Sequence, residues 1–137
     1  MKLRFLAMLG GVMLLVVSTF AAQAQQAEIR GTIGSQIEAF KADDFATAFT
    51  FATPSLQLLF QSPQNFQRMV TQGYPMVWRP ADVQYLNLRQ EDGRMVQTVQ
   101  IDDQEGARHF LDYWMEPTAE GWRIGGVQIL KTPGVAA

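Results

Sequence analysis

Two absences constrain the chemistry of this chain: it has no cysteine and one histidine in 137 residues. Without cysteine there can be no disulfide, thiolate zinc site, iron–sulfur cluster, cysteine nucleophile or cysteine-borne lipid anchor. His109 is then the sole imidazole for a triad or a metal site. No G-x-S-x-G elbow accompanies it. No H-x-x-x-H or D-x-D-x-D-G spacing supports a metal, so neither metal nor cofactor is expected. Internal repeats, low-complexity runs and linkers are also missing, and the length corresponds to about one domain. Charge is sparse at 18%, while 47% of residues are hydrophobic. That is enough apolar matter for a core and too much for a disordered chain.

Charge is also missing between Arg4 and Glu28. Lys2 and Arg4 begin the chain, and the stretch Phe5 to Phe20 is apolar. It ends in Ala21-Ala22-Gln23-Ala24-Gln25, and small residues at Ala22 and Ala24 suit signal peptidase. The expectation is a signal peptide over 1–24, cleaved near Ala24/Gln25, and a periplasmic or secreted domain over 25–137. A permanent membrane span needs about 20 strongly apolar residues. Gly10, Gly11, Ser18 and Thr19 dilute this stretch, so none is expected. Losing Lys2 and Arg4 leaves 9 of the 11 basic residues against 13 acidic ones, a net charge of −4. Such a balance argues against nucleic acid as a partner. Without disulfides, the exported domain relies on packing alone.

Ile29, Ile33, Ile37 and Phe40 recur at helical spacing and predict a helix over about Ala27 to Lys41. Asp43 or Asp44 caps a second, striped by Phe45, Ala48, Phe49 and Ala52. Thr53-Pro54 and Ser62-Pro63 each place a hydroxyl cap before a proline; the first opens a short turn carrying Leu56, Leu59 and Phe60, and the second a helix carrying Phe66, Met69 and Val70. Gly73 and Pro75 stop the last of them. After Pro80 the period changes to two. Strands are expected at Val83 to Arg89, Met95 to Ile101, His109 to Glu116 and Trp122 to Ile129. Asp92-Gly93 is a hairpin signal, and Gly125-Gly126 marks a bulge. Residues 132–137 read as a loose tail. The fold class is α+β, with N-terminal helices packed on a curved four-stranded antiparallel sheet, cone-like in form.

This order of elements, closing on Gly121-Trp122-Arg123-Ile124-x-Gly126-Val127, resembles the nuclear-transport-factor-2-like (cystatin-like cone) architecture. The run Gly73-Tyr74-Pro75-Met76-Val77-Trp78-Arg79-Pro80 is similar to a small exported family of Gram-negative bacteria, a domain of unknown function. Ile37-Glu38-Ala39-Phe40-x-x-Asp43-Asp44, Ala48-Phe49 and Phe66-Gln67-Arg68-Met69-Val70 extend the likeness over most of the mature chain. The resemblance implies a fold and a location, and it brings no catalytic residues. Cone folds often hold a pocket between sheet and helices. Some use an Asp with a Tyr or His as acid–base groups there, which requires a carboxylate raised by an apolar wall beside an oxyanion donor.

The candidates for such chemistry are Asp112, His109 and Tyr85, with Tyr113 and Tyr74 as further donors. Asp112 lies between Phe110 and Trp114 on one strand face. Either that face lines a pocket, or it faces outward and an Arg pairs with Asp112 across the strands. Leu111 and Tyr113 make the opposite face the more apolar, which favours the second reading. His109 shares the face of Leu111 and Tyr113; it is a general base, or it is satisfied by a neighbour. The Gly73–Pro80 block, taken as extended, points Tyr74, Met76 and Trp78 one way. It is a rigid aromatic lip over a pocket or partner surface, or a crossover whose rings plug the open end. Ligand-binding candidates are therefore Tyr74, Trp78, Tyr113 and Trp114. Gly31-x-x-Gly34 has no strand before it, so it serves close helix–sheet packing rather than phosphate binding.

The reading favoured by these residues is a non-catalytic module that binds a small apolar ligand or a protein partner. The alternatives are a small enzyme using Asp112 with a Tyr donor, and an envelope-associated homodimer joined through its sheet face.

Overall fold

The computed structural model describes residues 2–131, with side chains described from residue 16 onward. The tail expected over 132–137 lies outside the described residues. Five helices precede four strands: α1 Lys2–Lys41, α2 Phe45–Thr50, α3 Pro54–Phe60, α4 Pro63–Gly73, α5 Pro75–Trp78, β1 Pro80–Glu91, β2 Arg94–Asp103, β3 Arg108–Thr118 and β4 Gly121–Leu130. The sheet is antiparallel, in the order β1-β2-β3-β4. The architecture is α+β, as the sequence pattern predicts.

The caps explain the short helices. Asp44, Thr53 and Ser62 accept hydrogen bonds from the backbone N–H groups of Thr47, Leu56 and Asn65. Each satisfies one of the donors that a helix start leaves open. Pro54 and Pro63 follow two of these caps at positions where no N–H is needed.

Two elements differ from expectation. α1 is continuous back to Lys2, because residues 2–24 contain no proline and many strong helix formers. Among the side chains described, those of residues 16–24 are exposed and the first buried one is Ile29. The Gly73–Pro80 block is also not extended. Pro75 opens a single helical turn ending at Trp78, and Pro80 begins β1.

One stripe of α1 packs onto the sheet. Ile29, Ile33, Ile37 and Phe40 are buried against Val99, Ile101, Leu111, Tyr113, Met115 and Ile124. Strand alternation divides the sheet accordingly. Met95, Val99, Ile101, Leu111, Tyr113 and Met115 face the helices, and the residues that alternate with them along each strand, among them the cross-strand pair Thr98 and Asp112, face away. The bulge expected at Gly125-Gly126 is present: Trp114 pairs with Gly126 and Met115 with Ile124, leaving Gly125 as the extra residue. β1 carries a second irregularity between Tyr85 and Leu88.

The edge of β4 is partly covered. The Thr53 N–H donates to the Ile124 carbonyl at 2.9 Å, and the Ile124 N–H donates to the Phe51 carbonyl at 2.8 Å. These bonds fix the start of α3 against the sheet and so define one wall of the cavity described below. Gly34 shows why α1 approaches β1 closely: a Cβ there would lie 3.3 Å from the Tyr85 hydroxyl. Gly31 has open space around it, so the close-packing role falls to Gly34 alone.

Candidate functional site

Between the helical layer and the sheet lies a cavity of about 310 Å³. α1 contributes Gln36 and Phe40, α3 contributes Leu56 and Phe60, and α4 contributes Phe66, Met69 and Val70. Tyr74, at the end of α4, and Val77 in α5 close one side; Tyr113, Ile124, Gly126 and Val127 form the sheet wall. The volume falls near the lower end of the range for small-molecule pockets, roughly 300–1,000 Å³.

Local sequence accounts for each wall. Phe66 is the centre of an aromatic cluster, with Phe49, Phe60 and Phe40 at ring distances of 5.2, 5.6 and 5.7 Å. The Ser62-Pro63 start sets where Phe66 falls on α4. α3 has no buried residue: it turns Leu56 and Phe60 toward the cavity and leaves Leu58 and Leu59 exposed. The β4 bulge sets the phase at which Ile124 and Val127 reach the wall.

Polar groups in the lining are few. The Gln36 amide donates to the Ala48 carbonyl at 3.2 Å, and the Tyr74 hydroxyl donates to the Val127 carbonyl at 3.1 Å. Tyr113 is different. It is 1% exposed, and its hydroxyl is the buried side-chain polar atom with no hydrogen-bond partner among the described residues. Burial pushes its phenol far above the usual tyrosine range, and the neighbouring Tyr85 and Tyr74 phenols add to the effect. The group therefore keeps its proton at neutral pH and is a donor in waiting. No Asp, Glu, Lys, Arg or His is part of the lining.

The structure thus brings Tyr74 and Tyr113 together in the cavity and places the other candidates elsewhere. Asp112 is 5% exposed on the face of the sheet away from the helices. It accepts from the Thr98 hydroxyl at 2.7 Å and from Arg89 at 2.8 Å. Arg89 also reaches Glu91 at 3.0 Å. The Asp112 carboxylate, as a hydrogen-bond acceptor, holds the Arg89 guanidinium firmly in its charged form. Trp114 is on that same outer face, with the Arg94 guanidinium 4.5 Å from its ring centre. Asp112 and Trp114 are therefore separated from Tyr113 by the sheet itself.

His109 bonds the Asp103 carboxylate across 2.8 Å, beside the β2–β3 turn. Tyr85 faces the helices, and its hydroxyl donates to the Arg30 carbonyl at 3.3 Å. Desolvation raises its phenol, against the pull of the Arg30 cation. Trp78 lies outside the cavity lining. Its indole N–H donates to Asp43 at 2.8 Å, and Arg79 both stacks over its ring and bonds the same carboxylate. This clamp ties α5 to the α1–α2 turn. The hydrogen bond from Trp78, then those from Arg79, hold Asp43 below the usual carboxylate range. Trp78 thus serves this clamp and takes no part in the cavity lining.

Two buried glutamines went unmarked by pattern. Gln36 shares the apolar stripe of α1 and reaches the cavity. Gln97 is fully buried, and its amide donates to the carbonyls of Leu86 and Asn87, which the β1 irregularity leaves without regular partners. The signal was available: Gln97 has the strand parity of Met95, Val99 and Ile101, where an amide must find partners.

Among the described residues, no cluster of three or more His, Asp or Glu side chains is arranged to hold a metal ion. Among the same residues, no helix is long and apolar enough to cross a membrane. A family model described as "Domain of unknown function (DUF4864)" matches residues 22–137. No curated protein and no solved structure matches the chain. The match spans most of the sequence, so the chain belongs to that family.

Proposed function

We propose that this member of the DUF4864 family is an exported, non-catalytic protein that binds a small apolar molecule in the cavity between its helices and its sheet. The observation that carries the reading is the wall: about 310 Å³ lined mainly by aliphatic and aromatic side chains, with no ionisable group except tyrosine. A pocket of that kind gains affinity from apolar burial, about 25 cal/mol for each Å² removed from water. It offers no general base for chemistry. Asp112, the carboxylate of the enzymatic alternative, is bonded to Arg89 and Thr98 on the far side of the sheet.

Export is supported by the positive start, the apolar stretch and the Ala22/Ala24 pattern. The exposure of residues 16–24 and a family match that begins at residue 22 agree with cleavage near Ala24/Gln25. A periplasmic or secreted location follows from that reading.

The test is mass spectrometry of organic extracts from the purified protein and from a Leu56→Trp variant. Leu56 is half-buried on α3, and an indole in its place fills the space between α3 and β4. A low-molecular-weight apolar compound should accompany the original protein and be depleted from the variant, with both melting cooperatively. Equal recovery from both would place any bound compound outside the cavity.

A further inference from the structure

Resting on the reading that the cavity binds a small apolar molecule, we infer that its ligand is uncharged and carries one hydrogen-bond acceptor, a carbonyl, ester or ether oxygen, to which the Tyr113 hydroxyl donates. Three observations converge. The Tyr113 hydroxyl is buried with no partner among the described residues, on a side chain that forms part of the cavity wall. An unmet buried donor is costly, so a ligand oxygen that meets it adds affinity beyond apolar burial. The other polar side chains of the wall each already donate a hydrogen bond within the protein: Gln36 to the Ala48 carbonyl and Tyr74 to the Val127 carbonyl.

Charge is the third observation. With no Lys, Arg or His in the lining, a carboxylate or phosphate would enter unpaired, at a cost that neutral hydrogen bonds do not repay. With no Asp or Glu, the same holds for an ammonium. Size narrows the class further. A cavity of about 150 Å³ accommodates benzene, so this one suits about twelve non-hydrogen atoms. An aryl or alkyl ketone, a lactone or a short ester fits that description.

Butyrophenone and butylbenzene are a matched pair of probes, differing by a carbonyl in place of a methylene. 4-Propylbenzoate supplies the anion. Each is titrated by NMR into the protein expressed from its full reading frame, and into Tyr113→Phe, which keeps the ring and removes the oxygen. Butyrophenone should lose about tenfold in affinity in Tyr113→Phe, while butylbenzene binds both proteins equally or the variant better. 4-Propylbenzoate should bind at least tenfold more weakly than butyrophenone. An unchanged ketone-to-hydrocarbon ratio overturns the inference but leaves the cavity reading intact, as does tighter binding of the anion. If no probe shifts the lining residues in either protein, the cavity reading itself fails.

Discussion

Removing the Tyr113 hydroxyl should make the ligand-free protein more stable, the opposite of what a buried Tyr→Phe change usually does. Tyr113→Phe keeps the ring, so no void opens in the wall. What it removes is a donor that is 1% exposed and unpaired among the described residues. Leaving such a group buried and unsatisfied costs about 1–3 kcal/mol. The low end is taken, because the Tyr113 side chain forms part of the cavity wall, where its surroundings can relax more than in a close-packed core. The expected gain is about 1 kcal/mol, or about 4 °C in Tm for a domain of this size. The other two tyrosines provide the contrast. Tyr74→Phe gives up the bond to the Val127 carbonyl, and Tyr85→Phe the bond to the Arg30 carbonyl. Each should lose about 0.5–1.5 kcal/mol. The assay is urea denaturation of the three variants at neutral pH, with equal m-values required for the comparison. A loss of 1 kcal/mol or more in Tyr113→Phe would refute the reasoning, since the hydroxyl would then have a partner worth keeping. A gain coupled to weaker ketone binding would mark Tyr113 as a residue kept for function at the expense of stability.

Other substitutions separate scaffold from site. Trp78→Ala should cost about 2 kcal/mol, as expected for a half-buried ring in the Asp43–Arg79 clamp, and leave probe affinity within twofold; a selective loss of binding would restore Trp78 to the site. Asp112→Asn should cost about 1–2 kcal/mol, because an amide cannot replace the carboxylate beneath Arg89, again with binding unchanged. Asp43, Asp102 and Asp103 are all held below the ordinary carboxylate range: Asp43 by hydrogen bonds from Trp78 and then Arg79, Asp102 by Arg108, and Asp103 by His109. A lowered folded-state pKa gives stability that is present above about pH 4 and lost as pH falls through the folded value. The urea midpoint should therefore hold from pH 7 to about 5 and drop below about 4, with a shallower drop in Asp103→Asn.

Legibility in the sequence followed the range of the interaction. Asp44, Thr53-Pro54 and Ser62-Pro63 act within one helical turn, so the starts they cap could be read locally, although Thr53-Pro54 reads as a short turn where the seven-residue helix α3 forms. Alternation along β3 separated Leu111 and Tyr113 from Asp112, and the pairing of Asp112 with an Arg across the strands followed from that division. The turn at Pro75 was harder to read. Tyr74 offers no side-chain cap, so the proline reads as the end of α4 although it also opens α5. The cavity is least local of all. Its walls join residues as distant as Gln36 and Val127, and its depth depends on where a bulge at Gly125 sets the phase of β4. That the Tyr113 hydroxyl finds no partner is a property of the assembled wall, which no spacing along the chain encodes.

Titration of the isotope-labelled protein with butyrophenone, followed by two-dimensional amide NMR, tests the central claim most directly. If the cavity is the site, the amides of Tyr113, Ile124 and Val127 shift and saturate together, while those of Thr98, Asp112 and Trp114 on the outer face shift less. Saturable shifts centred on Thr98, Asp112 and Trp114, or none at Tyr113 and Val127, would contradict it.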